Sequence, residues 1–362
     1  MLLKGAKILN ENFQFEFKDI ELENGKIKKI SSPDKNGQKS DIELDNLTII
    51  PGLIDVHIHG CDGVDTMEGE LEKMSIYLAK NGITSFLPTT MTTPVSEITK
   101  ILKKDINVSG ANILGFHLEG PYINTKYKGA QNESYVKLPD ITDFEEFREK
   151  IKMITIAPEI ENAMEFIREA TESYAVSLGH TDTDYDTAIK AIENGASCVT
   201  HLYNAMKGIH HREPNLIGAA FMKNIYAQII CDGIHIHKTA IHIAYKLFSD
   251  ERLVLISDSL SACGLSDGIY TLGGQRFTVA DGIARIDAGN IAGSTKNLWQ
   301  CVKKAYEFDI PIESAIKMAT RTPALLIGAK NKGIIKEGCD ADLVIINKNL
   351  DVAHTIISGK II

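Results

Sequence analysis

The sequence is short of positive charge, of closely spaced cysteines and of long apolar runs, and each shortage excludes a class of protein. Its 39 lysines and arginines stand against 48 aspartates and glutamates, a net charge of −9. A nucleic-acid surface or a polybasic membrane anchor needs the opposite balance. An acidic average still leaves room for a small anionic substrate, because a few local cations hold one. The six cysteines (Cys61, Cys198, Cys231, Cys263, Cys301 and Cys339) are scattered, and no two form C-x-x-C. That argues against a zinc ribbon or a disulfide scaffold and for reduced thiols. No apolar run approaches the ~18 residues of a membrane span. The start, Met1 to Gly5, leads into Asn10-Glu11-Asn12 without an apolar signal core. A soluble, cytoplasmic protein without nucleic-acid or membrane partners is expected.

What is present is an ordinary globular composition: 362 residues, 44% hydrophobic and 24% charged, with ample chain for a core. The two ends read as short strands. Phe13, Phe15 and Phe17 alternate with polar residues, and Asn24-Gly25 between apolar runs signals a type I′ hairpin. Residues 31–40 form a polar, turn-rich stretch, and 42–47 begin another strand. Near the other end 342–346 and 354–362 read as strands around a turn at 347–349. Neither end has enough strands for a stable sheet alone, so the two pair into one small β-domain, residues 1–50 plus 331–362.

Between them buried strands alternate with amphipathic helices. Eight strands are predicted, at 53–59, 83–88, 112–119, 151–157, 174–179, 197–201, 225–231 and 253–257. Helices fall between most of them, for example at 70–80, 184–194 and 238–248, with Gly82 and Gly195 where C-terminal cap glycines belong. Over 51–330 this alternation predicts a (β/α)8 TIM barrel, joined to a small β-sandwich from both chain termini. A doubly wound open sheet is the alternative, weakened because no G-x-G-x-x-G or Walker A sequence follows any strand.

A barrel carries its chemistry at the carboxyl ends of its strands, and metal-capable residues fall there. The first strand ends His57-Ile58-His59, the third His117-Leu118-Glu119, the fifth Gly179-His180, the sixth Thr200-His201 and the eighth Ser257-Asp258. Two histidines two apart on a strand point to one side of it. Alone they are as well read as core residues; with Glu, His, His and Asp at four other strand ends they read as a metal site. A mixed imidazole and carboxylate set suits zinc or iron(II) rather than magnesium or calcium. Asp258 is the candidate proton carrier, since a carboxylate beside a cation stays ionised; a turn or helix-capping role is the alternative. His117 reads as a packing residue, His210 and His211 as solvated. Of the second H-x-H, His235 is the better candidate to reach a substrate and His237 a structural residue.

Pro51-Gly52…Asp55-Val56-His57-Ile58-His59 and Asp340-Ala341-Asp342-Leu343-Val344 resemble the amidohydrolase superfamily. His117 to Tyr122, Gly179-His180-Thr181, Thr200 to Met206, Arg212-Glu213-Pro214, Cys231 to His235 and Ile291 to Ser294 resemble, within it, the N-acetylglucosamine-6-phosphate deacetylase family, and the resemblance covers almost the whole chain. It implies Glu119, His180 and His201 as shared metal ligands, with His57 and His59 matching members that hold a second metal. One or two divalent ions per subunit are therefore expected. No lysine closes the fourth strand at Ala157-Pro158-Glu159, so Glu119 takes the bridging role, and Asp258 matches the catalytic aspartate. Asn204, Ala205, Arg212 and His235, with Ile291, Ala292 and Gly293, match substrate-holding positions, Arg212 reaching the neighbouring site across a homodimer. In Lys128-Gly129-Ala130-Gln131, Ala130 and Gln131 lie near the substrate carbonyl, and Gln131 departs from members that carry a histidine there. The implied activity is removal of acetate from an N-acetylated sugar phosphate. Other amidohydrolase reactions (a different amino-sugar deacetylase, a D-aminoacylase or a deaminase) and a non-catalytic scaffold are the alternatives.

Overall fold

The computed structural model describes residues 1–34, 40–42 and 44–362. Eight parallel strands form the centre: β1 (Leu53–Ile58), β2 (Ile83–Thr90), β3 (Phe116–Glu119), β4 (Ile151–Ile156), β5 (Ala175–Leu178), β6 (Cys198–Val199), β7 (Tyr226–Ile230) and β8 (Leu253–Ile256). They pair in chain order from β1 to β8. The ring closes at its carboxyl end, where the Asp258 N–H donates to the His57 carbonyl and the His59 N–H to the Ser259 carbonyl, each at 2.9 Å. All eight strands lie where the sequence predicts them. The third differs in being broken: a two-residue strand, Asn112–Ile113, pairs with β2 before β3 begins. Gly115 makes the break at φ +141°, and a Cβ there would meet the Lys150 carbonyl at 2.6 Å.

The helices start and stop on their own signals. The helix Tyr185–Glu193 begins where the Asp184 side chain accepts from the Thr187 N–H, a cap worth about 1 kcal/mol. It buries Ala188 and Ala191 and ends before Gly195 at φ +110°. His237 caps the helix Lys238–Arg252 by accepting from the Thr239 N–H, which makes it structural, and that helix breaks at Ser249.

Both chain ends join one seven-stranded sheet, in the order Lys360–Ile361, Val352–Ile357, Leu343–Ile346, Thr48–Pro51, Leu2–Leu9, Phe15–Glu23, Lys26–Ser31. The sheet curls so that Ile20, Leu22 and Ile27 share a core with Leu343, Ile345 and Ile356, giving the β-sandwich. Asn24 (φ +50°) and Gly25 (φ +75°) have the two left-handed residues of a type I′ turn. Phe17 faces outward, 63% exposed, while Ile20 and Leu22 fill the core. One expectation changes here. The strand expected from residue 42 starts only at Thr48, because Asn46 turns the chain at φ +61°. Half of the polar stretch 31–40, residues 35–39, lies outside the described residues.

One unit was not foreseen. After β8 the strands Gly268–Leu272, Gln275–Ala280, Ile283–Ile286 and Ile291–Gly293 build a four-stranded antiparallel sheet. It packs through Leu272, Phe277, Val279 and Ala284 on Met91 and Leu260. The Gly273 N–H donates to Asp65 Oδ2, pinning the first hairpin beside the barrel mouth.

Candidate metal centre

At the carboxyl end of the barrel six side chains converge. His57 and His59 come from the end of β1, Glu119 from β3, and His180, His201 and Asp258 from just beyond β5, β6 and β8. His180 (φ +49°), His201 (φ +29°) and Asp258 (φ +47°) all occupy the left-handed backbone region, which is uncommon outside glycine and clusters at functional sites. The turn swings each side chain inward at the strand end.

The six form two groups of three, each with ligand atoms within 4.8 Å of one another: His57, His59 and Asp258, and Glu119, His180 and His201. Glu119 stands between them. Its Oε1 lies 3.2 Å from His180 Nε2 and 3.0 Å from His201 Nε2, and its Oε2 lies 3.2 Å from His59 Nε2. Asp258 Oδ1 is 3.5 Å from His57 Nε2 and 3.4 Å from His59 Nε2.

The outer nitrogens explain why the inner ones face each other. His57 Nδ1 donates to Gln228 Oε1 at 3.0 Å, His59 Nδ1 to the Thr89 carbonyl at 3.2 Å, and His180 Nδ1 to the Tyr127 carbonyl at 2.9 Å. Carbonyl oxygens only accept, so in the neutral rings the proton sits on Nδ1 and the Nε2 lone pair points inward. Yet His57 Nε2 and His59 Nε2 are 3.2 Å apart, and His180 Nε2 and His201 Nε2 3.1 Å. Lone pairs so close repel unless protons or cations lie among them. Without a cation the cluster holds protons. Burial alone would lower His59, but Asp258 and Glu119 raise it to about 10. Burial would raise Glu119, but His57 and His180 hold it well below the usual carboxylate range. Asp258 is likewise lowered, burial being outweighed by His57 and His59. Four imidazoles, three of them braced, and two ionised carboxylates fit a divalent cation.

The centre floors a cavity of about 350 Å³. Of the predicted residues, His59, Glu119, His180, His201 and Asp258 line it, as do Ala130, Gln131, Asn204, Ala205, His235, Ile291, Ala292 and Gly293. His57 is fully buried behind the wall. Arg212 is not in the lining: it sits exposed on a loop, with its guanidinium against His211 Nε2 at 2.7 Å. Gln131 lines the cavity and also touches the centre. Its NH2 donates to Glu119 Oε2 at 2.6 Å, so its donor is directed at a ligand carboxylate.

Several residues of the site went unread. Met91, Gly129 and Asn290 also line the cavity. Gln228, alone and polar in the apolar strand β7, was visible as an anomaly. Asp232 holds His235: its Oδ2 accepts from His235 Nδ1 at 2.7 Å and from Ser294 Oγ at 3.0 Å, and its Oδ1 from the Ile234 and His235 N–H groups. Burial opposes ionisation of both, but the pairing lowers Asp232 to about 2 and raises His235. His117, buried behind His57, bonds Thr155 Oγ1 at 2.8 Å, the packing role expected of it. Glu159, after β4, binds Asn124, Thr181 and the Asp182 N–H, bracing loops rather than the centre.

The amidohydrolase family profile matches residues 48–362. An N-acetylglucosamine-6-phosphate deacetylase of Bacillus subtilis is 35% identical over 100% of this chain and 96% of its own length. The crystal structure of one from Thermotoga maritima superposes with a TM-score of 0.91 at 32% identity, covering 100% of this chain and 99% of that one. A Mycobacterium smegmatis variant enzyme, solved with N-acetyl-D-glucosamine-6-phosphate, gives 0.91 at 27% identity, covering 100% and 98%. The motifs at the strand ends, the paired sheet from both termini and these likenesses agree: the chain belongs to the amidohydrolase family, in its N-acetylglucosamine-6-phosphate deacetylase group.

Proposed function

We propose that this enzyme hydrolyses the N-acetyl amide of N-acetyl-D-glucosamine 6-phosphate to D-glucosamine 6-phosphate and acetate. The observation that carries the reading is the convergence of four imidazoles, Glu119 and Asp258 on the floor of one cavity. His57, His59, Glu119, His180 and His201 would hold one or two divalent ions, zinc or iron(II) by donor type. The two groups of three support two. When bound, such an ion polarises the amide carbonyl and acidifies a water. Asp258 is the proton carrier: it is ionised, it faces the cavity, and it takes the proton of the attacking water and returns it to the amine nitrogen as the C–N bond breaks.

Asn204, Ala205, Ala130, Ile291, Ala292 and Gly293 shape the wall that orients the sugar, and His235, whose protonated form Asp232 favours, supplies positive charge to it. Arg212 would complete the phosphate grip from a second copy of the chain. A guanidinium is a permanently charged fork suited to phosphate. The exposed Ile209, Phe221 and Met222 near the Arg212 loop supply apolar surface for such a homodimer. Six free, buried thiols suit a reducing, cytoplasmic compartment.

The test is acetate release from phosphorylated and unphosphorylated N-acetylglucosamine, with bound metal counted in the same preparation. The expected result is metal-dependent release that strongly favours the phosphorylated sugar. Equal rates overturn the phosphate grip, and full activity in metal-free protein overturns the chemistry.

A further inference from the structure

Gln131 is 3% exposed, and both ends of its amide are engaged. The carbonyl oxygen accepts from the Thr92 N–H at 2.7 Å, and the NH2 donates to Glu119 Oε2 at 2.6 Å. A flipped amide would set oxygen against carboxylate and nitrogen against N–H, so the network fixes its orientation. Thr92 reinforces the arrangement, its hydroxyl donating to the Glu119 backbone carbonyl at 3.3 Å. The loop is held as well: the Gln131 N–H donates to the Lys128 carbonyl, and Gln275 of the inserted sheet donates to the Ala130 carbonyl at 3.2 Å.

Glu119 is the carboxylate placed between the two groups of three. Its Oε1 meets His180 and His201 of its own group and lies 3.3 Å from His57 Nε2 of the other. Its Oε2 is turned to the other group alone and is met by His59 and, apart from histidine, by Gln131. A carboxylate oxygen carries two acceptor sites, so Oε2 can accept from Gln131 and still offer a lone pair to a cation. A neutral amide orients that oxygen without adding a charge that would repel the cation.

We propose that Gln131 is a positioning residue that makes Glu119 a two-ended ligand, and so secures the ion on the His57, His59 and Asp258 side. The proposal rests on the reading that this centre binds divalent metal.

The experiment strips the protein with a chelator and titrates it with Zn2+ against a chromophoric competitor, counting bound zinc after dialysis. The wild type is expected to take up two ions. Gln131→Met keeps the length and volume but loses the donor. It should bind one of the two ions about 10–100-fold more weakly, the usual cost of losing a partner of a metal ligand, with the other unchanged. His59→Ala should lose the same ion, and adding Gln131→Met to it should cost the remaining ion nothing. If methionine at 131 prevents folding, Gln131→Asn, whose shorter amide cannot span both partners, reads the same loss. Unchanged binding of both ions, equal weakening of both, or a wild type that holds one ion overturns the proposal. A wild type that takes up no zinc overturns the metal reading itself.

Discussion

The floor and the rim of the cavity are built by different means. Every residue of the floor stands at or just beyond a strand end and is buried, and three of the four histidines have their outer nitrogen tied to an acceptor. The exception is His201, whose Nδ1 has no protein partner among the described residues. The rim is made of loops. Asn204 and Ala205 follow β6, Asn290 to Ala292 come from the inserted sheet, and Arg212 does not reach the cavity of its own chain. Rigid strands fix the groups that need sub-ångström placement, while loops supply the recognition surface. Floor changes should therefore act on metal content and turnover, and rim changes on substrate binding.

Glu119→Gln should have the largest effect, because that side chain serves both halves of the floor. Loss of a shared anionic ligand is expected to strip metal and to lower kcat by about 10³-fold or more, in line with the several kcal/mol a catalytic metal supplies. Metal counting beside steady-state kinetics checks it, and a fully metallated, active variant would break the division. Asp258→Asn comes next. It removes a proton acceptor at the edge of the floor, so kcat should fall about 10²–10⁴-fold. KM should change little, and at least one ion should remain.

The floor was legible in the sequence because strand ends are. A histidine two residues from another on a predicted strand has its direction set by the pleat. Glu119, His180, His201 and Asp258 inherit theirs from barrel topology. What could not be read depends on contacts far apart in the chain. Gln228 braces His57 across 171 positions, and Gln131 meets a carboxylate 12 residues back through a loop. The inserted sheet is a different case. Gly273-Gly274 and Asp281-Gly282 are hairpin dipeptides with positive φ at all four residues, so local signals for it were present. The outward face of Phe17 shows the limit of period-two patterns, which give alternation but not which side is the core.

Arg212→Ala tests the rim. Losing a charged contact to phosphate costs roughly 1.5–3 kcal/mol, so KM for the phosphorylated sugar should rise by about 10–100-fold while kcat and metal content hold. Sedimentation of wild type and variant checks the proposed dimer in both. A fall in kcat alone would place the arginine with the floor.

The smallest expected effect lies where the two regions meet. His235 faces the cavity from a loop, yet it is braced from below by Asp232, as the floor histidines are braced. Asp232, lowered to about 2, stays ionised across the working range, and its charge keeps His235 protonated above the ordinary histidine value of about 6.5. Asp232→Asn removes that charge, so the imidazole should titrate at or below its ordinary value. At acid pH both rings are cationic, and KM should differ little from wild type. As pH rises the variant's ring loses its charge before the wild-type ring does, so the KM ratio should climb several-fold, with kcat moving less. A ratio that is flat with pH would mean that Asp232 only positions the ring. A ratio that falls with pH would mean that the charge of His235 opposes substrate binding, and the rim would then owe its affinity to Arg212 and backbone groups alone.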